Sequence, residues 1–297
     1  MSTTYSTLIS VAQLQTLMQA LSQQSGPPPI LIDCSFDLTD PAKGERQYHQ
    51  GHPPGAFYAH LDRDLSGPKH PAGPRSPAFT GRHPLPDRAR LAAWAGRLGI
   101  VPGRQVVTFD ADGSPFAARA WWLLRWLGHE AVAVLDAGAA AWKAAAGAWV
   151  QAVVDPPGGP PYPVGDNDKA FMNTIDAPAL QAALTSFCII DARAAERYRG
   201  DVEPLDPVGG HIPGASQRFF KDNLRPDGHF KSPEELREAF LALGAGGERP
   251  VVHQCGSGVT ACHNLLAMTH AGLSTCMLYP GSWSEWCADP TRPVAKG

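Results

Sequence analysis

No stretch of this 297-residue chain is apolar for long enough to span a membrane. Residues 1–10 are polar, with no basic segment leading into an apolar run, so no export signal is visible. Lys and Arg form no cluster and the net charge is -3, which removes the electrostatic case for binding nucleic acid or an anionic membrane. Charged residues make up 18 % against 43 % hydrophobic, a globular balance with core enough for two domains. The six cysteines, Cys34, Cys188, Cys255, Cys262, Cys276 and Cys287, form no C-x-x-C pair and no metal-type spacing. They read as reduced thiols, mostly small core residues, in a cytoplasmic protein that needs no metal.

What is present centres on residues 251–263, Val-Val-His-Gln-Cys-Gly-Ser-Gly-Val-Thr-Ala-Cys-His. Val251 and Val252 open a short buried strand. Gly256 and Gly258 allow a sharp turn and close approach of backbone amides to a ligand. From Ala261 the apolar spacing becomes helical through Cys262, Leu265, Leu266 and Met268, with Gly272 as the stop. Cys255 is thus expected at a helix N-terminus, where converging amides and the helix dipole favour its thiolate.

The chain contains a repeat. Ile30–Asp33 matches Cys188–Asp191, and Gly51-His52-Pro53-Pro54-Gly55-Ala56 matches Gly210-His211-Ile212-Pro213-Gly214-Ala215. Val106–Asp110 matches Val251–Cys255, and Asp136–Trp142 matches Pro280–Trp286. Four matched blocks in one order imply a duplicated domain. Residues 155–168 contain eight Pro or Gly among fourteen, which predicts an extended linker. The division is therefore residues 1–150, a linker at 151–170, and residues 171–297. Short apolar strands alternate with helical segments at Ser10–Leu21, Arg88–Leu98, Phe116–Leu127 and Pro233–Leu243. That alternation predicts an α/β fold, a parallel sheet flanked by helices in each half. Ligands of such sheets bind beyond the carboxyl ends of the strands. Cys255 falls there in the second half and Asp110 in the first, so the first half reads as catalytically silent.

Both Gly-His-x-Pro-Gly-Ala blocks, the Cys255 loop and the closing Gly281-Ser282-Trp283-Ser284-Glu285-Trp286 resemble the tandem-domain sulfurtransferases, the rhodanese and 3-mercaptopyruvate sulfurtransferase family. The resemblance spans essentially the whole chain and implies two rhodanese-like domains. Cys255-Gly256-Ser257-Gly258-Val259-Thr260 is similar to the mercaptopyruvate-type loop. Thiosulfate-specific members typically carry Arg and Lys where Gly256 and Ser257 stand. The resemblance implies a Ser–His–Asp relay of Ser257, His83 and Asp62, with the last two contributed by the first domain. It implies substrate contacts by Arg197 and by the loop residues Gly256, Gly258, Val259 and Thr260. A second substrate arginine of the family is missing from Val202–Pro207; Arg119 and Arg193 are the candidates to replace it.

The activity so implied moves sulfur from 3-mercaptopyruvate to a thiol or cyanide through a Cys255 persulfide. The donor is a small molecule, the acceptor thioredoxin or a small thiol, and no cofactor is required. A thiosulfate:cyanide sulfurtransferase is the alternative. A cysteine phosphatase on a similar fold would need an arginine closing the loop, where Ala261 and Cys262 stand. A non-catalytic binding module is disfavoured by the retained cysteine. His52 and His211 read as turn-ordering residues, and Trp283 either as core or as a border of the site.

Overall fold

The computed structural model describes residues 4–76, 78–111, 113–164, 172–273 and 276–297. The chain separates into two compact units, which take the described parts of residues 1–65, 86–171 and 227–229, and of 66–85, 172–226 and 230–297. The segment 66–85 falls midway along the first unit's stretch of chain yet packs within the second.

In the first unit the elements run β1 (Leu8–Ile9), α1 (Val11–Gln23), β2 (Ile30–Asp33), α2 (Lys43–Gln50), β3 (Phe57–Tyr58), α3 (Arg88–Arg97), β4 (Val106–Phe109), α4 (Pro115–Leu127), β5 (Val132–Leu135) and α5 (Gly138–Ala144). In the second they run β6 (Asn173–Thr174), α6 (Ala177–Ala182), β7 (Cys188–Asp191), α7 (Ala195–Arg199), β8 (Ser216–Gln217), α8 (Pro233–Ala242), β9 (Val251–Gln254), α9 (Ala261–His270), β10 (Cys276–Leu278) and α10 (Ser282–Trp286). Each unit holds one five-stranded sheet, ordered β1-β5-β4-β2-β3 and β6-β10-β9-β7-β8, and their pairings are parallel.

The central strands are largely apolar because both faces are covered. Every residue of β2, β4, β5, β7 and β9 is buried. The expected helices are present, with ends set by local chemistry. Ser10 and Gln13 close a reciprocal cap on α1, and Ser232 and Glu235 do the same on α8. Gly272 ends the turn after α9 at φ +72.

The repeat is a repeat of register. Ile30 pairs with Val106 and Asp33 with Phe109; Cys188 pairs with Val251 and Asp191 with Gln254. Asp110 and Cys255 therefore occupy equivalent places, one residue past equivalent strands. The Gly-His-x-Pro-Gly-Ala blocks have a structural job in both units. His52 stacks on Tyr48 at 3.9 Å and bonds its carbonyl at 2.8 Å, while His211 stacks on Tyr198 at 3.8 Å and bonds its carbonyl at 2.9 Å. Each histidine also makes an antiparallel bridge, to Val150 and to Ala295.

Of the linker at 151–170, residues 165–170 lie outside the described residues. The described part is extended and mostly exposed, and it straps onto α3. Gly158 donates to the Arg97 carbonyl at 3.1 Å and Tyr162 to the Ala92 carbonyl at 2.9 Å. Gly96 accommodates the strap, because any side chain there would run into the Pro160 carbonyl.

Candidate active site

The site is built on the carboxyl end of β9. Cys255 follows the strand, is buried, and is tied down on three sides by the chain entering α10. Its amide donates to Ser282 Oγ at 3.1 Å, its carbonyl accepts from Trp283 N at 2.9 Å, and the Gly256 carbonyl accepts from Ser284 N at 3.0 Å. Ser282 does this from a left-handed backbone, φ +53, and its hydroxyl also donates to the Tyr279 carbonyl at 2.9 Å. A non-glycine residue held there costs about 1 kcal/mol or more, supplied by the surrounding packing. The equivalent position of the first unit is Gly138, which meets the same backbone demand without a hydroxyl.

Gly258 turns the loop at φ +76, and a side chain on it would strike the Pro280 carbonyl. The loop then winds into α9 through tight turns, Cys262 N to the Val259 carbonyl at 3.0 Å and His263 N to the Thr260 carbonyl at 3.1 Å. Thr260, at the cap position, makes no side-chain capping bond. The helix end thus directs its positive pole at the cysteine loop with no side chain of its own there to offset it.

Ser257 and His83 meet: Ser257 Oγ and His83 Nδ1 are 2.8 Å apart, and both side chains are buried. His83 belongs to the segment 66–85, whose packing places it in the same unit as Cys255. The other histidine of that segment, His70, is spent on a local turn, accepting from Ala72 N at 3.2 Å with Ser76 Oγ 3.2 Å from its second nitrogen. Asp62 lies in the first unit, in the turn after β3, where its amide donates to His60 Nδ1 at 3.1 Å. Its neighbour Asp64 is engaged locally by the His60 amide and by Arg63. The structure thus gathers Cys255, Gly256, Ser257, Gly258, Val259, Thr260, His83 and Arg197 in one unit and puts Asp62 in the other.

Three arginines and three carboxylates line the same end of the sheet. Arg193 is saturated. It grips Asp191 at 2.6 Å and the Gly210 carbonyl at 2.7 Å, reaches Glu203 at 3.4 Å, and lies over the Trp283 ring at 4.7 Å. Burial disfavours its charge, but Asp191, Glu203 and the Cys255 thiolate outweigh that, and its pKa moves up. Trp283 is accordingly both core and border: fully buried, bonded to the Val208 carbonyl, and the platform under Arg193. Arg197 makes a two-point contact with Glu203, at 3.2 and 2.6 Å. Arg82, next to His83, pairs with Asp206. Arg119 is fully buried on α4 of the first unit, with its Nε 3.4 Å from the Leu65 carbonyl. Neither Arg119 nor Arg193 has the exposure or the spare edge for a substrate.

All six cysteines are thiols rather than disulfides. Burial pushes Cys276 and Cys287 up to about 12 and raises Cys34 and Cys188 as well, which suits inert packing residues. Among the described residues no cluster of His, Cys, Asp or Glu could hold a metal ion, and no helix is long and apolar enough to cross a membrane.

Ser282, Ser284, Arg82, Glu203 and Asp206 were not singled out by the sequence. The signal for Ser282 was in the repeat, where it stands opposite Gly138. For Arg82 it was adjacency to His83.

Fold and site define a class: an α/β enzyme with a buried cysteine between a parallel strand and an unblocked helix N-terminus. Within that class the chain belongs to the rhodanese-like family, whose domain matches residues 10–145 and again 170–289. It is 48 % identical to a Pseudomonas aeruginosa protein named a probable 3-mercaptopyruvate sulfurtransferase, over 97 % of this chain and 100 % of that one. It is 38 % identical to a Mycobacterium tuberculosis protein that carries a thiosulfate sulfurtransferase name, over 98 % and 97 % of the two chains. The 3-mercaptopyruvate sulfurtransferase structure from Leishmania major superposes with TM-score 0.78 at 28 % identity, covering 95 % of this chain and 74 % of that one. The protein is a sulfurtransferase with two rhodanese-like domains.

Proposed function

We propose that the donor is 3-mercaptopyruvate and that sulfur passes through a persulfide on Cys255 to a thiol. The observation that carries this reading is the 2.8 Å contact between Ser257 and His83, both buried on the cysteine loop's side of one unit. Thiosulfate is a dianion whose departure as sulfite calls for cations. Mercaptopyruvate leaves a carbanion equivalent that must be protonated, and a hydroxyl–imidazole pair is suited to deliver that proton.

The Cys255 thiolate attacks the mercaptopyruvate sulfur. The new S–S bond forms as the C–S bond breaks, and the electron pair goes to the three-carbon fragment as the enolate of pyruvate. Protonation through Ser257 and His83 releases pyruvate. The persulfide rests against the amides at the start of α9, with Arg193 supplying positive potential. An acceptor thiolate then takes the outer sulfur, breaking the S–S bond and returning the Cys255 thiolate. A small thiol or thioredoxin fits that second step, and cyanide serves in its place in an assay. Thiosulfate remains the second reading, supported by the M. tuberculosis relative.

The test is kcat/KM with 3-mercaptopyruvate and with thiosulfate, each against a thiol and against cyanide. A tenfold preference for mercaptopyruvate, about 1.4 kcal/mol at the transition state, is expected. A preference for thiosulfate would assign the second donor while keeping the nucleophile.

A further inference from the structure

The loop 202–207 lacks the arginine that a two-arginine carboxylate clamp would take from it, yet the cysteine loop is flanked by two guanidinium groups. A methyl group added at Gly256 would sit 3.0 Å from Nη2 of Arg82 and 3.4 Å from Nη1 of Arg197. The two arginines approach from different segments and are aimed by different carboxylates. Asp206 holds Arg82 through Nη1, leaving Nη2 as the nitrogen turned to Gly256. Glu203 holds Arg197 through Nε and Nη2, leaving Nη1 nearest the same residue. Asp206 also lies 3.6 Å from Arg197, so one buried carboxylate bridges the pair. The backbone of Arg82 is fixed as well. Its amide donates to Ser284 Oγ at 3.1 Å, and Ser284 in turn binds the Gly256 carbonyl through its own amide. Arg82 is a quarter exposed and Arg197 a fifth, whereas Asp206 and Glu203 are buried beneath them. The cations therefore face outward over the loop and the anions face inward.

We propose that Arg82 is the second substrate-binding arginine of this enzyme. With Arg197 it clamps the donor's carboxylate above Gly256, and Asp206 in the shortened loop is the residue that positions it. The loop has exchanged a cation for an anion, and the cation has moved to the segment that also carries His83. A side chain at 256 would press on these guanidinium nitrogens and displace them by a few tenths of an ångström, so glycine leaves both where they are. One loop segment, Arg82-His83, then supplies both the anion contact and the imidazole.

This inference rests on the sulfurtransferase reading but can be tested apart from it. The variants are Arg82→Gln, Arg82→Lys and Asp206→Asn in the full chain. Removing a charge-assisted clamp should raise KM for 3-mercaptopyruvate about tenfold or more in Arg82→Gln, with kcat changed less than about threefold. Arg82→Lys should recover part of the loss, and Asp206→Asn should fall between. The second readout needs no sulfur donor. Iodoacetate is anionic and iodoacetamide is neutral, so the ratio of their alkylation rates at Cys255 reports the clamp's positive charge. Arg82→Gln should lower that ratio about fivefold or more, and Arg82→Lys should restore it. A structural role alone would change both reagents alike and leave the ratio where it was. KM and the alkylation ratio both within twofold of the parent enzyme would overturn the proposal. Should Arg82→Gln fail to fold, Arg82→Lys decides: KM raised at least threefold at unchanged Tm supports a guanidinium-specific contact, and unchanged KM overturns it. If the parent enzyme prefers thiosulfate, the donor assignment falls while the alkylation ratio still decides Arg82.

Discussion

After β4 the chain turns into α4 around the carboxylate of Asp110; after β9 it turns into α9 with the thiol of Cys255 at the same place. Asp110 accepts three amides, from Ser114 at 2.8 Å and from Phe116 and Ala117 at 2.9 Å each. The first unit has thus filled its own helix N-terminus with a fixed anion, which satisfies the amides and offsets the dipole. In the second unit an uncharged loop, residues 255–260, winds directly into α9, and Thr260 contributes no side-chain cap. One design stabilises the helix end with a built-in charge. The other leaves the helix end without a side-chain cap beside the Cys255 thiol. The first unit still has a cleft of about 330 Å³ at the matching ends of its strands, bordered by Asp33, Lys143 and Trp149. Duplication preserved the architecture, and one residue past the strand decided which copy keeps the thiol.

The largest test of that comparison exchanges the nucleophile. Cys255→Ser should lower turnover with either donor by at least about 10³-fold, more than about 4 kcal/mol, read as pyruvate or thiocyanate release. Retained activity would remove the loop from the mechanism altogether.

Next in size is an acid effect that should appear in both units. Burial pushes His253 in β9 down to about 3 and His129 after α4 down to about 4. In the unfolded chain each titrates near about 6.5. The folded state therefore keeps both neutral, and the unfolded state binds more protons once the pH falls below that value. Stability is complete above about pH 6.5 and is lost as the pH drops toward 4, by up to about 3 kcal/mol per histidine. Thermal melts from pH 8 to pH 4 on His253→Gln and His129→Gln should each show a flatter acid limb than the parent. Identical limbs in all three proteins would show that other groups drive acid unfolding.

Asp110→Ala should destabilise the protein by about 2 kcal/mol, since three buried amides lose a charged acceptor. Urea unfolding measures this, and kcat/KM should stay within about twofold of the parent if the first unit is silent. A loss of turnover at full stability would give Asp110 a catalytic part and undo the contrast with Cys255. The smallest effect expected is that of Ser257→Ala, about a tenfold loss in kcat with mercaptopyruvate, roughly 1.4 kcal/mol, with less loss on thiosulfate. Equal losses with the two donors would argue that Ser257 shapes the loop rather than moving a proton.

Local pattern was a good guide wherever the physical cause was local. The strand–loop–helix around Cys255, the caps at Ser10 and Ser232, and the stop at Gly272 follow from residues within a few positions of each other. The repeat extended that guidance, because two copies of one fold must place Asp110 and Cys255 alike. It also marked His52 and His211 as structural, which their tyrosine stacks explain. The site was only partly legible. Cys255 and Ser257 stand inside one motif, but the clamp around them joins Arg82, Arg197 and Asp206 from three separate segments. Arg193, a candidate on charge alone, proved to be consumed by Asp191 and the Gly210 carbonyl, which no spacing rule could reveal.

The sequence by itself determined the α/β class, the duplication, the order of elements and the candidate nucleophile, because periodicity, turn chemistry and a glycine-flanked cysteine are short-range signals. Only the tertiary structure decided that residues 66–85 fold with the second unit. It thereby brought His83 to Ser257 across 174 positions of chain and set Arg82 beside Gly256. Those contacts depend on which buried surfaces fit together once the sheets exist, and packing of that kind leaves no period in the sequence.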